Sequence, residues 1–178
     1  MSPTEKRMTH PARRVLLLIT VIIIVALPCF SQGQAKDDKY WPLSEKYCNA
    51  RFGFCVSYPA SLVMRDPPAN DDGRQFDNGN GFYVTVSGIN NVSNDTLKSE
   101  MRSAGDRFDR VTYRAKGKNW FVLSGYKDDK IIYLKTFIGR GSVNHLDIEY
   151  SVHLKAAYNM VAGNIARSFN SGQLGVSH

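Results

Sequence analysis

Between Asn119 and Tyr150 the chain is written in the manner of a β-meander. Asn119 to Tyr126 is aromatic and β-branched, Ile131 to Ile138 is similar, and Val143 to Tyr150 follows. Lys127-Asp128-Asp129-Lys130 and Gly139-Arg140-Gly141 separate the runs. Short alternating runs divided by turn formers read as neighbouring antiparallel strands. Val111 to Arg114 adds a short strand before them. Side chains alternate along a strand. The last run therefore sets Leu146, Ile148 and Tyr150 on one face and His145, Asp147 and Glu149 on the other.

Two helices are expected around this sheet. Leu97, Met101, Ala104 and Phe108 recur at helical spacing, with Asn94 or Asp95 placed to cap the start. Leu154, Tyr158, Val161, Ile165 and Phe169 form a second stripe, from about Leu154 to Phe169. Both stripes are core faces rather than cofactor boxes. Asn170-Ser171-Gly172 ends the second helix, and the tail to His178 reads as loose.

Upstream, residues 36–47 read as a polar lead. Phe52, Phe54, Val56 and Tyr58 alternate onto one face before Pro59 stops the strand. Phe82 to Gly88 alternates in the same way. Between them, Asn70 to Gly81 reads as a long loop of turn formers. Asp71, Asp72, Asp77, Asn78 and Asn80 are calcium-type oxygen ligands, but their spacing departs from the calcium-loop pattern. Turn chemistry accounts for them without an ion. The triplets Asn91-Val92-Ser93 and Asn94-Asp95-Thr96 match the glycosylation pattern, which matters only in a host that glycosylates exported chains.

The first 35 residues are of a different kind. Lys6, Arg7, Arg13 and Arg14 precede the largely apolar run Val15 to Phe30, and small residues Gly33 and Ala35 follow. Charge, apolar core and small polar exit make the plan of an export signal. The expectation is a signal peptide at 1–35 and one α+β domain at 36–178, periplasmic or secreted. An uncleaved membrane anchor remains open, as does lipidation at Cys29, although Pro28 is a poor residue before a lipidated cysteine. Cys48 and Cys55 then form the pair left after cleavage. In an oxidising compartment they are expected to bond across a tight turn.

The chain carries a formal net charge of +7. Loss of the leader leaves 19 Lys and Arg against 15 Asp and Glu, a charge of +4. Arg102, Arg107, Arg110, Arg114, Lys116 and Lys118 form the densest basic stretch. It reads as a solvated surface or as a face for an acidic partner. No nucleic-acid motif is present.

Phe52-Gly53-Phe54-Cys55-Val56-Ser57-Tyr58-Pro59, the aromatic strand Asn119 to Tyr126, and Leu146-Asp147-Ile148-Glu149-Tyr150 before a helix ending Ser168-Phe169 form a frame. It resembles small exported bacterial proteins, with a layout similar to the PsbP/Mog1-like fold. That resemblance implies an α/β/α sandwich, an antiparallel sheet covered by helices. It also implies a mostly non-catalytic adaptor. It carries over no binding residue.

Two functional expectations follow. The first is a non-catalytic protein-binding domain, as an envelope accessory or an immunity or inhibitor protein. Its contact region would be Trp41, Phe76, Tyr83 and Arg74 around the Asn70–Gly81 loop, with Tyr40 beside Trp41. Aromatics and arginines are the usual anchors of such surfaces. The second is a metal-dependent or acid–base hydrolase built on the His145, Asp147 and Glu149 strand face, which His153 could join. The expectation from composition is that this face is solvated. No nucleophile elbow, phosphate loop or cofactor fingerprint occurs. A deep polar cleft at His145 would mark the enzyme, and a shallow apolar patch the binding protein.

Overall fold

The computed structural model describes residues 41–178. The expected leader, Cys29 and Tyr40 lie outside the described residues. The order of elements is β1 (Leu43–Cys48), β2 (Cys55–Pro59), β3 (Val63–Met64), β4 (Gly73–Asp77), β5 (Phe82–Asn90) and α1 (Leu97–Gly105). There follow β6 (Arg110–Lys116), β7 (Trp120–Lys127), β8 (Lys130–Ile138), β9 (Ser142–Ser151) and α2 (Lys155–Ser168).

The meander is present, with β6, β7, β8 and β9 pairing in succession. β9 then pairs along its length with β5, from Phe82 opposite Tyr150 to Asn90 opposite Ser142. The sheet runs β3-β4-β5-β9-β8-β7-β6, antiparallel throughout. β1 and β2 make a separate hairpin. Residues directly opposite one another share a sheet face, so the register sorts the core. Phe82, Val84, Val86, Leu146, Ile148 and Tyr150 face the hairpin and α2, where Phe54, Val56, Val161, Ile165 and Phe169 are buried against them. Each fully buried side chain of this size contributes about 1.5–3 kcal/mol. On the other face Phe121, Leu123, Ile132 and Leu134 are buried.

Several elements depart from the sequence reading. The lead before Cys48 contains strand β1, because Tyr47 packs its ring on Phe54 and Phe76. The expected loop at 70–81 contains strand β4, whose alternation was hidden among turn formers: Phe76 points inward opposite Val84. Thr96, not Asn94 or Asp95, caps α1, accepting from the Ser99 N–H while the Ser99 side chain answers at the Thr96 N–H. The segment after α2 is pinned rather than loose. Leu174 accepts from the Gly141 and Ser142 amides, and the His178 amide donates to Asn90 Oδ1. Gly172 crosses so close to the Phe52 carbonyl that a Cβ there would overlap it.

The Cys48–Cys55 disulfide closes the hairpin, as its register requires. Asn49 organises the turn inside it: its Oδ1 accepts from the Arg51 and Phe52 amides, and its Nδ2 donates to the Asp71 carbonyl. Gly53 supplies the left-handed residue at φ 70°.

Candidate functional site

The four residues nominated for contact do not share a surface. Phe76 is 0% exposed and lies in the core, because β4 pairs it with inward-facing Val84. Trp41 is half-buried, edge-on to Phe82 at 6.0 Å and Tyr158 at 5.4 Å. Arg74 is held on the hairpin side, its guanidinium 5.3 Å from the Tyr47 ring and 3.5 Å from Asp71. Only Tyr83 presents a large exposed area, on the opposite sheet face beside Glu149.

The loop oxygens are engaged locally. Asp77 is bridged by Arg65 at 2.5 Å and accepts from the Gly79 amide, which keeps its carboxyl below the usual range. Asn78 Oδ1 accepts from Asn80 and Phe82, and Asp72 accepts from Asn70. Among the described residues, no three His, Cys, Asp or Glu side chains converge to hold a metal ion.

His145, Asp147 and Glu149 do share one face, but it is covered by α1 rather than solvated. A pocket of about 370 Å³ lies between them, lined by Ser87, Glu100, Ser103, Arg107, Thr136, His145 and Asp147. Arg107, just beyond α1, reaches Asp147 at 2.5 Å and Glu149 at 3.5 Å. Thr136 Oγ1 is 3.2 Å from His145 Nδ1. Burial, with help from Arg107, pushes the imidazole down to about 4. Burial also raises the Asp147 carboxyl, against the pull of Arg107, and raises Glu100. His145 is thus a neutral hydrogen-bonding group at pH 7, far from the near-operating pKa that a general acid or base needs.

A larger groove lies on the other face. α2 covers the hairpin and the β5–β9 centre and meets β8 where Lys135 donates to the Ala166 and Phe169 carbonyls, but about 540 Å³ separates it from β6, β7 and the Ile131–Tyr133 half of β8. Tyr113, Tyr126, Tyr133 and Met160 form its apolar lining, with Lys155 and Arg167 on α2. Tyr113 is 53% exposed and Met160 60%. Lys155 Nζ donates to the Tyr126 hydroxyl at 3.1 Å, and Arg167 donates to Asn164. No carboxylate lines the groove.

Sequence reasoning missed this groove. Its tyrosines come from three different strands, and only the pairing brings them together. One signal was available: Met160 and Lys155 fall off the buried stripe of α2, so their side chains had to face something else.

The fold and this layout define a class: a PsbP/Mog1-like α+β sandwich, with an antiparallel sheet between helices. No family description and no curated protein sequence matches the chain. Among solved structures it is similar to cyanobacterial PsbP (CyanoP) from Synechocystis sp. PCC 6803. The TM-score is 0.52 at 14% identity, covering 71% of this chain and 91% of that one. It is also similar to the Saccharomyces cerevisiae Ran-binding protein Mog1p, with TM-score 0.49 at 10% identity, covering 71% and 94% respectively.

Proposed function

We propose that this chain is an exported, non-catalytic domain that works by binding another protein, through the groove between α2 and the β6–β7–β8 wing. The observation that carries this reading is the pairing of an open aromatic groove with strongly exposed Tyr113 and Met160. Large side chains left open beside a groove are what a partner anchor needs. The leader-like residues 1–35 and the Cys48–Cys55 bond support an oxidising, extracytoplasmic setting. An envelope accessory and an immunity or inhibitor protein both fit.

The polar pocket at His145 favours the competing reading, an acid–base hydrolase. Against it stand the neutral imidazole and the engagement of Asp147 and Glu149 by Arg107. The hydroxyl bonded to His145 belongs to Thr136, a strand residue without a nucleophile elbow.

Site-specific photo-crosslinking in the source cell tests the binding reading. A photoreactive residue at Met160 or Tyr113 should give one discrete heavier adduct. The same residue at Val92, which is exposed on the β5–α1 connection, should not. No adduct from either groove position, or identical adducts from all three, would overturn it.

A further inference from the structure

We propose that the groove's occupant is an acidic, extended peptide segment of the partner, which adds as a strand to the free edge of β6. This rests on the protein-binding reading above. β6 is the last strand of the sheet, so among the described residues one side of its backbone has no strand partner. It is seven residues long and mostly exposed. The opposite edge, β3, has only two residues. An unpaired edge of this length is a template for strand addition.

Charge selects the occupant. β6 carries Arg110, Arg114 and Lys116 and no carboxylate. Lys155 and Arg167 add two more cations from α2. Among the described residues none of these five forms a salt bridge. Arg110 lies 4.9 Å from the Tyr126 ring instead. The same charges disfavour pairing with a second copy of this chain. An antiparallel pair centred on Tyr113 would set Arg110 against Lys116 and Thr112 against Arg114. Like charges directly opposite are destabilising.

Dimensions agree. Arg110 and Lys116 are six residues apart on β6, which at strand rise is about 20 Å. An extended peptide covers that span in about five or six residues. Tyr113 is opposite Ser124, on the groove face, whereas Arg114 and Lys116 are opposite Leu123 and Phe121, on the other face. The added strand should therefore alternate, with apolar or aromatic residues over Tyr113 and Asp or Glu beside Arg114 and Lys116.

The test is selection of random dodecapeptides on the protein as its own cell delivers it, followed by binding of the enriched peptides. We expect Asp or Glu alternating with apolar residues. Binding should fall at least tenfold in the Arg114→Glu/Lys116→Glu variant, whose melting temperature should hold because both side chains are exposed and neither forms a salt bridge among the described residues. N-methylation of alternate peptide amides should abolish it, since a strand needs those donors. Absence of enrichment, enrichment without acids, or equal binding by the charge-reversed variant would overturn the proposal. So would equal binding by the N-methylated peptide or by polyglutamate. If these fail while crosslinks persist at Met160 and Tyr113, the binding reading stands and the acidic strand falls. If the crosslinks also fail, both fall.

Discussion

Lowering the pH from 7 to 5 should cost the fold about 2 kcal/mol through His145 alone. The imidazole is buried between β9 and α1 and is pushed from 6.5 down to about 4. In the unfolded chain it titrates near its ordinary value. Over the interval between these values the unfolded state takes up a proton that the folded state refuses. The stabilisation is complete above the unfolded value and is lost as the pH falls through the folded one. A difference of this size corresponds to about 3 kcal/mol in all, of which about 2 is gone by pH 5. Asp147 and Glu100 work in the opposite sense, because burial raises their carboxyls and the folded state takes up protons more readily. Urea unfolding at both pH values, for the wild type and for His145→Gln, cancels those carboxyls and leaves the imidazole. The variant should lose about 2 kcal/mol less than the wild type on acidification. Nuclear magnetic resonance titration of His145 Cε1–H should give a folded value below about 5. A folded value near 6.5, or equal losses in the two proteins, would refute the burial argument. It would also return His145 to the list of usable acids and bases.

Reducing the Cys48–Cys55 bond frees a loop with a sequence separation of 7. Chain entropy for a loop this short is worth about 2.5 kcal/mol, which for a domain of this length lowers the melting temperature by about 9 °C. Circular dichroism melts with and without reductant measure it, and a drop under about 3 °C would count against a bonded pair. Gly172→Ala should cost about 1–3 kcal/mol, because its Cβ meets the Phe52 carbonyl. As the segment lifts, amide exchange at Gly141 and Ser142 should quicken, since both donate to Leu174. Unchanged exchange would mean that residues 170–178 do not depend on that crossing.

The meander and α2 were legible because their signals are local: alternation, turn formers and helical spacing are written in consecutive residues. The hairpin disulfide was legible for the same reason. β4 was not, since its five residues lie among Asp, Asn and Gly that favour turns, and only pairing with β5 turns Phe76 inward. The pinned tail was invisible because its anchors, Gly141 and Asn90, are distant in sequence. The same limit explains the sites. Periodicity placed His145, Asp147 and Glu149 on one face, but nothing local showed that α1 and Arg107 would cover it. The groove depends on β6, β7, β8 and α2 meeting, which no single window of sequence contains.

The place of β9 in the sheet governs when the chain can fold. It is the central strand, yet it is the last one made, and 51 residues lie between its partner β5 and its own start. β6, β7 and β8 can pair among themselves, as can β3, β4 and β5, but nothing joins the two groups into one sheet until β9 exists. Long-range pairing of this kind slows folding, because loop closure precedes its reward. α2, which seals the main core, comes later still. During synthesis the growing chain therefore cannot complete its central sheet or seal its main core until these last elements have been made.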